Sequence, residues 1–213
     1  MKLYYARGAC SLADRISLHE AGFDATFERV DLKSKITETG ANFMAINPKG
    51  YVPALVLDNG ETLTENVAVL SWIASQAPEL APSSPLGHIR LLEALAFIST
   101  ELHKAFEPLF THGAPGADSD RAAASIARRL DYIANTVGGS YLFGARFTVA
   151  DAYLFVMLTW ARKLGVTIPR LLSWYFEDMM ERDCVRRALA EEDLIQQIPL
   201  KEDRVGVQIS LIE

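Results

Sequence analysis

The chain has 213 residues, half of them apolar, and its 21 basic and 27 acidic residues give a net charge of −6. This length allows one large or two small domains, and the negative charge argues against nucleic acid or an anionic membrane as the main partner. No apolar run reaches the roughly 18 residues of a membrane-spanning helix, and the patterned sequence from residue 2 onward leads us to expect no signal peptide. The two cysteines, Cys10 and Cys184, make no disulfide framework, so we expect a reduced, cytoplasmic protein.

The first 32 residues carry the pattern of a strand, a helix and a second strand. Residues 2–6 and 27–32 predict strands, and residues 11–21 predict a helix that ends at Gly22. Ser11 followed by Asp14 predicts a capping box at the start of this helix. Two strands joined by a helix over so short a stretch are typical of a parallel βαβ unit.

A hairpin follows this unit after a loop that contains Lys33 and Lys35. Residues 38–45 predict a short helix, and 54–57 and 61–64 predict two strands. The Asp58-Asn59-Gly60 sequence between them predicts a tight hairpin turn, because Asn-Gly tolerates the positive φ angles that a two-residue hairpin loop needs. A helix over 67–76 completes the order βαβαββα. The N-terminal part is therefore predicted to be an α/β, thioredoxin-like domain.

The second half of the chain shows helical periodicity only. We predict an N-terminal domain at 1–80, a proline-rich linker at 81–87 and an all-helical domain at 88–213. Apolar residues recur at helical spacing from Leu91 to Leu109, and the later helices are predicted near 121–137, 148–164, 171–181 and 184–191. Within the tail 194–213, alternating Val205, Val207, Ile209 and Leu211 predict an ordered strand-like segment that covers a pocket or pairs with a partner subunit.

Pro53 stands at the entrance to the first hairpin strand, where it cannot donate to a β-ladder. A proline there predicts a bend and is compatible with a cis peptide bond. The bend leaves the N–H and C=O of Val52 facing outward, where an extended peptide can add as a further strand. Glu65 and Asn66, at the start of the next helix, place N–H donors within reach of an anion. A small peptide with a carboxylate suits this surface.

Cys10 directly precedes the predicted first helix. The partial positive charge of a helix N-terminus predicts a thiol pKa lowered from about 8.5 toward neutrality. The alternative is a small buried apolar residue, which is the commoner situation of a lone cysteine.

Several of these segments resemble the glutathione S-transferases. Val52, Pro53 and Glu65 match the glutathione-binding half of that family, whereas Tyr51 and Asn66 differ from its commonest residues. The segments Tyr5-x-x-Gly8-Ala9-Cys10-Ser11-Leu12 and Thr100-Glu101-Leu102-His103-Lys104 resemble the bacterial beta class, and residues 147–153 resemble a family capping motif in which Asp151 is structural.

The resemblance implies a two-domain fold and a site for glutathione as co-substrate, with no cofactor and no metal. It assigns Cys10 and His103 to the glutathione sulfur, with Tyr5 and Ser11 available as secondary donors. The class often has an asparagine in place of Ala96, which implies one hydrogen bond fewer to glutathione. The implied glutathione contacts are Cys10, Lys35, Tyr51, Val52, Pro53, Glu65, Asn66, Glu101 and His103; the implied electrophile pocket is Tyr5, Phe106 and Phe110.

Three functions follow from these residues. The first is conjugation of the glutathione thiolate to small hydrophobic electrophiles, a detoxification reaction, and the family resemblance implies that the protein is a homodimer. The second is thiol transfer or peroxide reduction through a mixed disulfide of Cys10 with glutathione, without a second cysteine nearby. The third is a non-catalytic binding module with the same fold, and the presence of Cys10, Val52, Glu65 and His103 argues against it.

Overall fold

A mixed β-sheet forms the N-terminal part of the protein. The structure, a computed structural model, describes residues 1–111 and 116–197. Its strands are β1 (Lys2–Tyr5), β2 (Thr26–Asp31), β3 (Ile36–Thr37), β4 (Ala54–Val56) and β5 (Thr62–Thr64), in the spatial order β3-β2-β1-β4-β5. β1 and β2 are parallel and the other neighbours are antiparallel. The predicted α/β, thioredoxin-like domain is confirmed.

The rest of the described chain is helical, as predicted. The helices are α1 (Ser11–Glu20), α2 (Asn66–Gln76), α3 (Gly87–Phe97), α4 (Glu107–Thr111), α5 (Ala117–Ala134), α6 (Val149–Lys163), α7 (Arg170–Met180) and α8 (Asp183–Glu191). A π-helical turn, Ile98–His103, and a 3₁₀ turn, Lys104–Phe106, connect α3 to α4. Among the helices of residues 1–111 and 116–197, none combines the length and the hydropathy of a membrane-spanning segment.

The predicted helix over 38–45 is wrong. The chain forms β3 and then a single 3₁₀ turn, Phe43–Ala45, so the order contains one strand more and one α-helix fewer than expected. Gly40 has a φ of 89°, and the Thr37 N–H donates to the Ala41 carbonyl, which closes a loop instead of a helical turn. The Thr37 hydroxyl accepts the Ala41 N–H and holds the same loop from the other side.

Two local predictions around the first hairpin and helix also need correction. The hairpin loop has three residues, because the Leu57 N–H donates to the Glu61 carbonyl and Gly60 takes the positive φ of 86°. α1 begins at Ser11, with Cys10 in the capping position, so no Ser11–Asp14 capping box forms. The Ser11 hydroxyl instead accepts the Ala6 N–H at 3.3 Å.

The two halves pack around α1 and α6. α1 contacts α2, α6 and α8, and every residue of α6 from Val149 to Leu158 is buried. Arg15 on α1 is also buried, with its guanidinium 3.9 Å from the Tyr5 ring centroid and 4.2 Å from that of Phe27. Its charge faces Glu191 and Glu192 at the end of α8, each at 3.6 Å. The first helix is thereby tied to both the sheet and the C-terminal helices.

A capping box begins α6, as the sequence predicted. The Asp151 carboxylate accepts the Thr148 N–H at 2.7 Å and the Thr148 hydroxyl at 2.6 Å. Asp151 is wholly buried and takes no part in the candidate site. The strand-like segment predicted at 205–211 lies outside the described residues.

Candidate active site

Cys10 sits at the N-terminus of α1 and faces the bend at Val52. Its Sγ lies 3.8 Å from the Val52 carbonyl oxygen, and the side chain is 9% exposed. Burial raises the pKa of the Cys10 thiol to about 12, and the nearby Asp14 carboxyl adds to the effect. The predicted lowering of this pKa is therefore wrong, because desolvation outweighs the helix terminus. Cys10 is a protonated thiol at neutral pH and can donate a hydrogen bond.

This protonation predicts low reactivity toward alkylating reagents. Burial also raises the pKa of Cys184 to about 12, so both thiols are protonated at pH 8. We expect iodoacetamide to modify Cys10 and Cys184 at least about tenfold more slowly in the native protein than in the guanidinium-unfolded chain. Peptide mass spectrometry measures the two sites separately. Native Cys10 reacting as fast as the unfolded chain would contradict the protonated state.

The bend at Val52 is held from both sides by side chains. The Val52–Pro53 peptide bond is cis, which the sequence allowed, and both residues are buried. The Asn47 amide donates to the Tyr51 carbonyl at 2.7 Å, and Lys35 Nζ donates to the Gly50 carbonyl at 2.7 Å. Lys35 thus lies beside the bend.

Glu65 and Asn66 lie where β5 turns into α2. The Glu65 carboxylate accepts hydrogen bonds from Lys49 Nζ and from the Tyr51 hydroxyl at 2.7 Å, and these two donors lower its pKa. Glu65 has a φ of 71° and is about half exposed. Asn66 is buried, and within the described residues neither atom of its amide has a hydrogen-bond partner. The site therefore offers one charged acceptor and one amide with unused bonding capacity.

His103 lies at the end of the π-helical turn, and its ring faces α6. Nδ1 is 2.7 Å from the Tyr153 hydroxyl, and the Trp160 ring meets the imidazole edge-to-face with centroids 4.9 Å apart. Burial and the adjacent Lys104 lower the pKa of His103 to about 4. A thiolate at Cys10 would raise the pKa of Tyr153, so the Cys10 sulfur and the Tyr153 hydroxyl interact electrostatically. His103 is neutral at pH 7.

An open cavity of about 280 Å³ adjoins His103, and of the three residues predicted for the electrophile pocket, Phe110 lines it. It is lined by His103, Lys104, Glu107, Phe110 and Trp160. Phe110 is half exposed there, with its ring perpendicular to Trp160 at 5.0 Å. Phe106 is wholly buried behind them and supports the wall without reaching the cavity.

Tyr5, Ser11 and Glu101 do not join this cluster. Tyr5 is buried against Arg15 and does not line the cavity predicted for the electrophile. Ser11, predicted as a secondary donor to the sulfur, is buried, and its hydroxyl accepts the Ala6 N–H. Glu101 turns toward α5, where its carboxylate accepts a hydrogen bond from Arg129 at 2.8 Å. It borders a second, more open cavity of about 640 Å³ between the α3–α4 segment and α5.

Sequence reasoning missed Tyr153 and Trp160. Both lie on α6 and contact His103, and they are seven residues apart, which places them on one helix face two turns from each other. Tyr153 closes the 147–153 motif that the sequence analysis assigned to structure alone. The seven-residue spacing can be read from the sequence, but the sequence does not show that this face of α6 contacts His103.

Glu192 was also missed, and it binds the loop that carries Cys10. Its carboxylate accepts the Gly8 N–H at 2.7 Å, while Trp160 Nε1 donates to the Gly8 carbonyl at 2.8 Å. Arg7 donates to the carbonyls of Glu192 and Asp193. These contacts fix residues 7–10 from the C-terminal side.

The position of Glu192 predicts a pH-dependent stability. Burial raises its pKa from 4.5 to about 7, so the folded state binds this proton more tightly than the unfolded chain. The contribution of Glu192 to stability is therefore full below pH 4.5 and is lost as the pH rises to 7. We expect the Tm of Glu192→Gln, relative to wild type, to increase between pH 4.5 and 7. Differential scanning fluorimetry measures the Tm of the wild type and of the variant at each pH, and Glu181→Gln, which changes an exposed acid, is the control. If the Tm difference between Glu192→Gln and the wild type stayed constant with pH, the raised pKa would be contradicted.

Comparisons with known proteins cover nearly all of the described chain. Residues 9–76 match the family model for the glutathione S-transferase N-terminal domain, and 81–189 match the model for the C-terminal domain. Glutathione S-transferase GstA of Escherichia coli O157:H7 is 41% identical over 200 residues, which cover 91% of this chain and 100% of GstA.

Solved structures agree with this match. A sphingomonad glutathione S-transferase complexed with glutathione has a TM-score of 0.85 and 42% identity, over 91% of this chain and all of that one. A bacterial beta-class enzyme of Sphingomonas chungbukensis has a TM-score of 0.82 and 41% identity, over 92% of this chain and all of that one.

Proposed function

This chain belongs to the glutathione S-transferase family, and on that premise we propose that its crevice binds glutathione and transfers the thiolate to small hydrophobic electrophiles. The proposal rests on one convergence of side chains. The Cys10 thiol lies against the Val52 carbonyl, and the Tyr153 hydroxyl joins the neighbourhood of Cys10 to His103. Four segments of the chain, around residues 10, 52, 103 and 153, contribute to this arrangement, and His103 lines the adjoining cavity.

The proposed ligand lies along the bend at Val52 as an additional strand. In this arrangement the Val52 backbone pairs with the cysteinyl residue of glutathione. Glu65, Asn66 and the N-terminus of α2 bind the γ-glutamyl end, where a charged amine and a carboxylate need an acceptor and N–H donors. Lys35 binds the glycine carboxylate at the other end. Tyr51 and Pro53 shape the bend, and Glu101 contacts the γ-glutamyl amine across a subunit interface.

The sulfur then lies between Cys10 and His103. A free thiol has a pKa of about 8.5, and lowering it by about two units requires about 2.7 kcal/mol of preferential stabilisation of the thiolate. Hydrogen bonds from the protonated Cys10 thiol and from the His103 ring, together with the N-terminus of α1, can supply this amount. The thiolate attacks an electrophile held in the cavity against Phe110 and Trp160.

The protonation of Cys10 favours conjugation over thiol transfer. A mixed disulfide forms when a cysteine thiolate attacks a disulfide, and a thiol with a pKa of about 12 supplies almost no thiolate at pH 7. Cys10 is therefore proposed as a hydrogen-bond donor to the glutathione sulfur.

We further propose a cytoplasmic homodimer. Both cysteines are free thiols, as expected in a reducing compartment. Ile89 and Leu92 on α3 and Tyr132 on α5 are exposed large apolar side chains, and Tyr132 also lines a cavity of about 310 Å³ between the two helices. A second copy of the chain covering this face accounts for the exposed apolar surface. Sedimentation equilibrium tests this proposal, and a monomer at all concentrations would overturn it.

Binding and turnover of glutathione test the main proposal. We expect millimolar reduced glutathione to raise the Tm in a saturable way, and an analogue with a methyl group in place of the thiol to do the same. We expect conjugation with at least one member of a panel of aromatic and unsaturated electrophiles, and retention of activity in Cys10→Ala to within about tenfold. No shift with either ligand would favour a non-catalytic module, and complete loss of activity in Cys10→Ala would favour the disulfide reaction.

A further inference from the structure

The His103 ring is fixed by two residues of α6. Tyr153 contacts it twice, through the 2.7 Å hydrogen bond to Nδ1 and through an edge-to-face ring contact at 5.9 Å. Trp160 packs on the same ring at 4.9 Å, at an interplanar angle of 74°. Because both residues lie on one face of a buried helix, the imidazole has a single supported orientation, with Nδ1 directed into the protein.

The chemistry of the Tyr153–His103 bond selects one tautomer of His103. Burial raises the pKa of Tyr153 and lowers that of His103, so both groups are neutral at pH 7. Ser99 lies near the phenol oxygen and lowers the pKa of Tyr153, as a group that donates toward that oxygen does. The phenol hydrogen is then directed to Nδ1, and a neutral imidazole that accepts at Nδ1 carries its proton on Nε2.

The backbone supports the same orientation. His103 ends the π-helical turn Ile98–His103, which interrupts the regular helix exactly where the side chain meets α6. Turns of this kind occur often at functional sites, because the extra residue changes the direction of the side chains that follow.

We propose that Tyr153 is a positioning residue that holds His103 as the Nε2–H tautomer, so that His103 donates a hydrogen bond to the glutathione sulfur instead of accepting its proton. The ligand part of this inference rests on the proposed function; the tautomer part concerns the free protein. In this account the thiol proton leaves to solvent, and His103 and Cys10 both act as donors to the thiolate.

The tautomer is measured directly by two-dimensional NMR of protein labelled with ¹⁵N-histidine, without any ligand. His103→Gln identifies the His103 signals. We expect the Nε2–H pattern of nitrogen shifts in the wild type at pH 7 and a mixture of tautomers in Tyr153→Phe, which lacks only the hydroxyl. An Nδ1–H pattern in the wild type, or an unchanged pattern in Tyr153→Phe, would overturn the proposal.

A double-mutant cycle measures the functional consequence. We expect Tyr153→Phe to lower kcat about tenfold with little change in the KM for glutathione, as for the loss of one hydrogen bond that orients the donor. In the His103→Ala background the same change should have less than about a twofold effect, since its target is absent. Equal effects of Tyr153→Phe in the two backgrounds would assign Tyr153 a general structural role and overturn the proposal.

Tyr175→Phe is the matched control, because it removes another buried phenol hydroxyl, which bonds to Asp151 at 2.8 Å. We expect it to lower the Tm while leaving the His103 tautomer and kcat unchanged. Absence of glutathione turnover in the wild type would count against the proposed function alone, because the NMR result is obtained without glutathione.

Discussion

Replacing Asp151 by alanine is expected to lower the free energy of unfolding by about 4 kcal/mol. The carboxylate accepts hydrogen bonds from four buried or half-buried donors: the Leu142 N–H at 2.8 Å, the Thr148 N–H, the Thr148 hydroxyl and the Tyr175 hydroxyl. Each donor left without a partner costs about 1–3 kcal/mol, less where water can enter. The lost stability has three sources: the cap of α6, the bond to Tyr175 on α7, and the bond to Leu142 in the segment that precedes α6.

Chemical denaturation at constant pH measures this loss, and the corresponding fall in Tm is about 10 °C for a chain of this size. Asp183→Ala is the matched control, because Asp183 lies in the first turn of α8 with its side chain almost wholly exposed. We expect the control to change the free energy of unfolding by less than about 0.5 kcal/mol. A loss in Asp151→Ala as small as that of the control would contradict the structural role given to Asp151.

Replacing Glu65 by glutamine is expected to weaken glutathione binding by about 10- to 100-fold. In the proposed complex the Glu65 carboxylate faces the γ-glutamyl amine, and a hydrogen bond to a charged group contributes about 1.5–3 kcal/mol. Lys49 and the Tyr51 hydroxyl already bond to this carboxylate and hold it toward the crevice. Glutamine keeps the size of the side chain and removes the charge.

Isothermal titration with reduced glutathione measures the change in Kd. Glu61→Gln is the control, because Glu61 is an exposed acid at the other end of β5, the strand that Glu65 follows. We expect it to bind glutathione as the wild type does, and both variants to keep the wild-type Tm within a few degrees. If Glu65→Gln also retained the wild-type Kd, the placement of the γ-glutamyl end would be wrong.

The fold was largely predictable because its elements are long and periodic. The apolar repeats from Leu91 to Leu109 and along α6 belong to helices that bury one face or all faces. β3 was missed because it has two residues and is defined by pairing with β2, which no local pattern records. The three-residue hairpin loop was likewise set by which residues of β4 and β5 pair.

The candidate site likewise has one part that could be predicted from the sequence and another part that could not. Cys10, Val52, Glu65 and His103 stand in local motifs that the sequence shows, and the structure brings Cys10 against Val52. Tyr153, Trp160 and Glu192 act across 50 or more positions of sequence. Their contacts form only when α6 packs on the π-helical turn and the end of α8 packs on the loop that precedes α1. The pKa of Cys10 was predicted in the wrong direction because the helix terminus is visible in the sequence, whereas the extent of burial is not.

A crystal structure of the protein with bound glutathione tests the central claim most directly. We predict the cysteinyl backbone paired with Val52 and the sulfur within hydrogen-bonding distance of both Cys10 Sγ and His103 Nε2. A ligand bound elsewhere, or a sulfur directed away from Cys10 and His103 toward solvent, would contradict it.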